Sequence, residues 1–461
     1  MFDVIIIGSG TAGLCAAYEL NKLDSTLKIL VLEKGHSIEN RKCPIIEGKV
    51  NQCIHCASCS IMSGLGGAGA FSDGKFNFTT EFGGWLADYI DPREVLDLID
   101  YVDQINMKFG ATSERFSTQT PEAQMIKKKA LEYDLHLLQA ECKHLGTENN
   151  LNILTNLYDY LSDKVTFKFD TEVETVNQVD DRWEVITKDQ TYSSRYLIVG
   201  PGRSGSEWFT GICHHLGINT INNQVDIGVR VELPALVFKH ITDVVYESKL
   251  VYRTRCYGDN IRTFCMNPYG QVVAENVDGI ITVNGHSYAD PKLQSENTNF
   301  ALLVSSLFTE PFNEPHQYGK HIAALSNMLG GGVIVQRYGD LISGRRTNVD
   351  RLMKSTVRPT LKATPGDLSL VIPKRQLDDI IEMLQALNNI APGTTNVDTL
   401  LYGVETKFYS SRIKLDSNLE TELPNLYAVG DGAGITRGLS QAGASGIRAA
   451  RAIIEKLRKM V

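Results

Sequence analysis

The chain has 461 residues, 43% of them hydrophobic and 22% charged, the composition of a globular protein with core enough for two domains. A formal net charge of −8 excludes a broad basic surface for nucleic acid, and the opening MFDVIIIG has neither a basic leader nor the ~20-residue apolar run that crosses a membrane. Nine cysteines, an odd number, suit a reducing compartment better than a disulfide framework, so a cytoplasmic location is expected.

Phe2 to Ile7 is a short β-branched run that predicts a strand, and Ala16, Ala17, Leu20 and Leu23 then recur at helical spacing. Between them lies GSGTAG. Gly8 permits the tight turn, Gly10 lets backbone approach a pyrophosphate, and Gly13 lets helix pack closely on strand. Thr11 and Ala12 open the helix, whose free N–H groups and positive dipole end suit phosphate. A second strand, Lys28 to Leu32, ends at Glu33 and Lys34. A carboxylate at Glu33 can accept from both hydroxyls of an adenosine ribose, so a dinucleotide is expected, with NAD and FAD both open at this point.

Cys43-Pro44 is followed by CIHCASC, in which Cys53, Cys56 and Cys59 stand two residues apart. Such spacing lets three thiolates converge on a [4Fe–4S] cluster with Cys43 as a remote fourth ligand, although here the Cys-Pro precedes the triplet instead of following it. A four-cysteine zinc site, a redox dithiol and simply buried thiols remain open beside it. Immediately after comes SGLGGAGAFSDGKFN, where Gly66, Gly67 and Ala68 leave almost no side-chain bulk and Asp73 and Lys75 bring charge. Backbone can approach something flat or charged there.

Residues 85–163 read as a helical insertion, with Asp91-Pro92 and Thr120-Pro121 as capped starts and a third helix over 148–161. Strands then return over Val165 to Val173, Trp183 to Ile186 and Tyr196 to Val199, the last feeding the turn Gly200-Pro-Gly202. GPGRSG is not expected to be a second nucleotide site, because no acidic strand end stands twenty residues later. Residues 221–400 mix strands, such as Asp226 to Glu232 and Gln271 to Ala274, with helices near 298–309 and 376–388, predicting an α+β substrate domain. His286 is the candidate acid or base there, and Arg262 and Arg345 are candidate clamps for a substrate carboxylate or phosphate.

The chain closes on Asn425-Leu-Tyr-Ala-Val-Gly430-Asp431, a short strand delivering an acid to a glycine turn, then GLSQA (Gly438, Leu439, Gln441, Ala442) opening a terminal helix. The two terminal motifs together resemble the glutathione-reductase-type FAD fold. With SGLGGAGAFSDGK and GDGAGITRGLSQAGASG, nearly the whole chain resembles a family of bacterial and archaeal FAD-dependent dehydrogenases with no settled reaction. The resemblance implies an α/β, Rossmann-like FAD domain built from both chain ends. Its parts would be residues 1–84, 164–220 and 401–461, carrying the insertion 85–163 and the substrate domain 221–400. It implies that Asp431 holds the ribityl chain, that the loop around Gly66 lies against the flavin, and that Val173 meets the adenine through its backbone. The expected function is an FAD-dependent reductase or dehydrogenase acting on a small molecule, with NAD(P)H or a ferredoxin-type donor as electron partner, and with neither membrane nor nucleic acid. The alternatives are a flavin and iron–sulfur electron-transfer protein serving another enzyme, and an FAD-dependent RNA-modifying or redox-sensing protein.

Overall fold

In the computed structural model the chain divides into two compact units: residues 1–117, 140–221 and 410–461 form unit 1, and 118–139 with 222–409 form unit 2. The structure describes every residue except 45–46, 51–53, 55, 73, 117–118, 139–140, 246–247, 278, 288–290, 310, 408 and 460–461, and only the backbone of 147 and 277.

Unit 1 is built on a seven-stranded sheet. Strand β1 (Phe2–Ile7) runs parallel to β2 (Ile29–Leu32) on one side and to Thr191–Val199 on the other. Thr166–Lys168 extends the sheet beyond β2, and Leu426–Ala428 pairs in parallel with the end of Thr191–Val199. The first half of Thr191–Val199 pairs instead with an antiparallel meander, Val173–Val179 and Arg182–Thr187. Val4, Ile5 and Ile6 are fully buried, as expected where both faces of a parallel sheet are covered. Helix α1 (Thr11–Leu23) covers the sheet with Leu14, Ala16, Ala17 and Leu20.

The C-terminal helix Leu439–Lys459 packs along α1, and small residues set the distance. A Cβ on Gly446 would stand 2.0 Å from the Ala12 carbonyl oxygen, and one on Gly443 would stand 3.1 Å from Cys15 Sγ.

Unit 2 centres on an eight-stranded sheet ordered 364–365, 334–337, 400–407, 225–234, 297–306, 260–267, 249–253 and 135–138. Strand Val225–Pro234 alternates. Val225, Ile227, Val229, Val231 and Leu233 enter the apolar core shared with helices Ala235–Thr242 and Lys374–Ile390, while Asp226, Gly228, Arg230 and Glu232 take the opposite face.

Three readings of the sequence change. Residues near 298–309, expected helical, are the strand Asn297–Ser306, because an apolar run buried on both faces fits strand and helix patterns alike. The stretch 85–163 is not one helical insertion. Helices Pro92–Lys108 and Thr147–Leu161 belong to unit 1, but Pro121–Leu131 and the strand Leu135–Leu138 join unit 2, the strand as an edge of its sheet. Val173 opens a strand of the meander instead of closing one.

Candidate functional site

All the glycine turns singled out in the sequence meet at the carboxyl edge of the unit 1 sheet. The turn after β1 packs on the turn after Thr191–Val199 so closely that a Cβ on Gly8 would lie 2.3 Å from the Gly200 carbonyl oxygen. The turn after Leu426–Ala428 completes the set, with a Cβ on Gly432 reaching 2.7 Å from the Gly202 oxygen. Gly8, Gly202 and Gly430 have φ of +98°, +66° and +74°, which only glycine adopts without strain. At Gly10 and Gly202, by contrast, a Cβ would meet nothing within 4 Å, so open space lies over the first turn. Helix α1 begins at that space with no side-chain cap and no acid in its first turn. Thr11, Ala12 and Gly13 therefore keep the N–H groups and dipole that attract an anion.

Glu33 ends β2 beside this turn, buried, and its carboxylate is already crowded. Oε2 accepts from Ser9 N and Ser9 Oγ, and Oε1 accepts from Gly35 N and Gly64 N, all at 2.9 Å. A carboxylate offers about four lone-pair sites, so a ribose hydroxyl must share with or displace one of these donors. The rotatable Ser9 hydroxyl is the one free to turn away. The Glu33 backbone oxygen accepts from Thr171 N at 2.9 Å, which brings the chain leading to Val173 alongside. Lys34 is half-buried next to Glu33.

The glycine-rich loop lies against the first turn. Gly66 N donates to the Ser9 oxygen at 2.8 Å, Gly10 and Gly66 form a parallel bridge, and a Cβ on Gly67 would stand 3.2 Å from Gly10 Cα. Gly66, Gly67 and Ala68 are thus next to Gly10, while Asp73 lies outside the described residues and Lys75 sits half-buried on the strand Lys75–Phe78. No sequence signal marked the residue that holds this loop. Arg41 is buried and donates to the backbone oxygens of Ser60 (2.9 Å), Ile61 (2.9 Å), Leu65 (2.5 Å) and Gly67 (2.9 Å), and its guanidinium stacks over the Phe71 ring. Burial pushes Arg41 down to about 10 while the Glu33 charge works against that.

At the other terminus, Asp431 Oδ1 accepts from Thr436 Oγ1 at 2.7 Å and Arg203 Nε stands 3.7 Å from Oδ2, which leaves acceptor sites for a polyol hydroxyl. Gly438 and Leu439 lead into the terminal helix near Gly83 and Gly69, respectively. Gln441, expected near the cofactor, makes its bonds within the protein. It is buried with Nε2 on the Phe82 oxygen at 3.2 Å and Oε1 accepting from Leu86 N at 3.4 Å, so it clamps the 82–86 turn. Ala442 is buried in the apolar core of unit 1.

Of the cysteines, Cys43 is half-buried, Cys56 and Cys59 are exposed, and Cys53 lies outside the described residues. Among the described residues, which do not include Cys53, no three His, Cys, Asp or Glu side chains gather as metal ligands.

In unit 2 the polar face of the sheet gathers charges that sequence reasoning passed over. Arg230, with no exposure, makes two parallel bonds to Glu405, Nε to Oε2 and Nη2 to Oε1, both 2.8 Å. Its Nη1 also donates to the Cys265 oxygen at 3.1 Å and Asn299 Oδ1 at 3.0 Å, and Nη2 reaches Asn284 Oδ1 at 3.3 Å. Burial alone would raise Glu405, but Arg230 and Lys407 hold it below the ordinary carboxylate range. Cys265 has φ +43° at a bulge between Phe264 and Asn267, which turns its carbonyl toward Arg230. Gly285 lies directly over this network, since its Cβ would come 2.2 Å from Arg230 Nη1. The alternation of Asp226, Arg230 and Glu232 was the available signal.

The three candidates for chemistry are placed as follows. His286 is exposed at the end of a hairpin strand, opposite Gln271. Arg262 is bound to the fully buried Asp226 and, at 2.9 Å, to the Tyr409 hydroxyl. Arg345 is exposed but tied through Nε to buried Asp340 at 2.8 Å. The two arginines thus answer to different buried carboxylates and do not form one clamp.

A sheet whose parallel strands end in three interlocked glycine turns, with two acids at that carboxyl edge, has the form of a dinucleotide-binding domain. Comparison with known families makes the class particular. Residues 3–40 match the FAD binding domain family and residues 225–408 match the family described as FAD-dependent protein, C-terminal domain-like, which places the chain among the FAD-dependent oxidoreductases. An uncharacterized protein of Clostridium beijerinckii is 25% identical over 479 residues, spanning 98% of this chain and 80% of its own. Among solved structures, pyridoxine 4-oxidase from Mesorbium loti is similar at 12% identity and a TM-score of 0.44, covering 99% of each chain. Glycine oxidase from Geobacillus kaustophilus is similar at 11% identity and a TM-score of 0.38, covering 98% of this chain and 95% of its own. Likeness at these scores brings no substrate with it. No helix among the described residues is long and apolar enough to cross a membrane.

Proposed function

We propose that the chain is an FAD-dependent dehydrogenase or reductase that holds the flavin in the glutathione-reductase manner on unit 1 and handles a small polar substrate on unit 2. The observation that carries this reading is the meeting of the Gly8–Gly13, Gly200–Gly202 and Gly430–Gly432 turns with Glu33 at one sheet edge. In this reading the first turn of α1 binds the pyrophosphate through its N–H groups, Glu33 takes a ribose hydroxyl as Ser9 Oγ turns aside, and Asp431 accepts from the ribityl chain. The bound flavin supplies hydride or electron transfer, and the protein supplies orientation and a fixed electrostatic setting. NAD(P)H or a ferredoxin-type carrier exchanges electrons with it.

The test is anaerobic purification with FAD, iron and zinc quantified per chain, followed by titration with NADH, NADPH and a reduced ferredoxin. One FAD per chain, bleached by at least one of these donors, is the expected result. A chain that takes up no FAD even on reconstitution overturns the reading.

A further inference from the structure

Residues 337–366 break the charge pattern of the molecule. They hold Arg337, Arg345, Arg346, Arg351, Lys354, Arg358 and Lys362 against only Asp340 and Asp350, a local charge of +5 within a chain of −8, so the remainder carries −13. This segment is not a loose tail. Buried Asp340 binds Arg345 Nε (2.8 Å), Thr347 Oγ1 (2.9 Å) and Arg337 Nη1 (3.4 Å). Asp398 likewise binds Arg337 and accepts from Thr356 N at 2.9 Å and Thr356 Oγ1 at 2.7 Å. Asn348 caps the short helix Val349–Met353, Arg351 Nη1 closes on the Arg346 oxygen at 2.8 Å, and Arg358 Nη1 closes on the Met353 oxygen at 3.1 Å. The segment is therefore a fixed platform whose inner arginines are neutralised, while Arg346, Lys354 and Lys362 stand exposed without an acidic partner among the described residues.

Set among those charges are large apolar side chains left in water: Ile342 is 51% exposed, Val349 64% and Met353 68%. Exposed apolar side chains interspersed with exposed cations along one segment are what a protein-docking surface uses, the apolar contacts slowing dissociation and the charges steering approach. The segment offers no exposed aromatic ring on which a base could stack, since its one aromatic residue, Tyr338, is buried, which argues against a nucleic-acid strand. With −13 elsewhere, an acidic partner is repelled by the rest of the molecule and drawn to this platform.

From this complementarity we infer that the 337–366 platform docks a small acidic electron-carrier protein of the ferredoxin type. The inference rests on the flavoprotein reading above. Two encounters bring two electrons, and two protons from water complete the reduction of one FAD while two carriers are oxidised.

The experiment uses the full chain loaded with FAD and a two-cluster bacterial ferredoxin, reduced anaerobically, in stopped flow. The variant Arg346→Glu/Lys354→Glu/Lys362→Glu is compared with wild type and with Lys188→Glu, a charge reversal on an exposed turn of unit 1. Flavin reduction by the wild type is expected to slow roughly tenfold or more between low and high salt, and the triple variant to lose roughly tenfold at low salt with its FAD content unchanged. Met353→Ala is expected to raise the dissociation rate severalfold without altering the salt dependence. Equal rates in the triple variant and wild type overturn the inference, as does reduction by NAD(P)H with none by ferredoxin. Preferential binding of a random RNA 20-mer, or self-association abolished by the triple variant, overturns it as well. Failure to hold FAD is a separate outcome that sinks the flavoprotein reading, and calorimetric titration of the flavin-free chain with ferredoxin then decides the docking on its own.

Discussion

Glu33→Gln separates two roles that one carboxylate has in this structure. Four donors converge on Glu33 in the protein alone: Ser9 N, Ser9 Oγ, Gly35 N and Gly64 N. A glutamine keeps one accepting oxygen but presents an NH2 group to the other pair, so two donor–acceptor contacts become donor–donor ones in a buried setting. Rotation of the Ser9 hydroxyl relieves one of them. The backbone N–H left facing the amide costs about 1–3 kcal/mol, and the loss of charge assistance on the others adds roughly 1 kcal/mol. At about 2–4 °C per kcal/mol for a unit of this size, the flavin-free variant should melt roughly 5–12 °C below wild type by calorimetry or circular dichroism. Its FAD affinity should fall as well. If the flavin-free variant melts within about 2 °C of wild type while FAD affinity drops, Glu33 serves the ribose alone and the four-donor account is wrong.

Two further changes probe unit 2. Arg262→Ala leaves the fully buried Asp226 without its cation, which should destabilise the protein by about 3 kcal/mol; a raised KM with an unchanged melting temperature would instead mark Arg262 as a substrate clamp. Asp379 is buried on the helix Lys374–Ile390, and burial, with the nearby Asp259 charge, pushes it up to about 6. The folded state then binds more protons than the unfolded state between about pH 4 and pH 6, so wild-type stability falls as pH rises through that window. Asp379→Asn should remove this slope and melt above wild type at pH 7 and beyond, by on the order of 2 kcal/mol; parallel stability curves for the two proteins across pH 4 to 7 would refute the buried-acid assignment.

Much of unit 1 was legible in the sequence because its signals are local. β1, the GSGTAG turn and Glu33 lie within one strand–helix–strand stretch, where a tight turn, a helix start and a strand end each need particular residues at fixed offsets. The proline-led helix starts at Asp91-Pro92 and Thr120-Pro121 are equally local, and both side chains cap as their spacing requires. What tertiary structure alone decided is partnership. Gly446 in the terminal helix has to be small because α1 crosses it at backbone distance, a Cβ there standing 2.0 Å from the Ala12 oxygen, and that neighbour is more than 400 residues away in sequence. Arg41 has no motif, since its partners are four carbonyl oxygens, a group every residue carries. The Phe300–Val304 stretch of strand Asn297–Ser306 is apolar on both faces and so has no period to reveal it; only the neighbours that cover each face make it a strand. Local geometry is encoded in local residue types, whereas the choice of which buried donor meets which acceptor is settled only when distant segments pack.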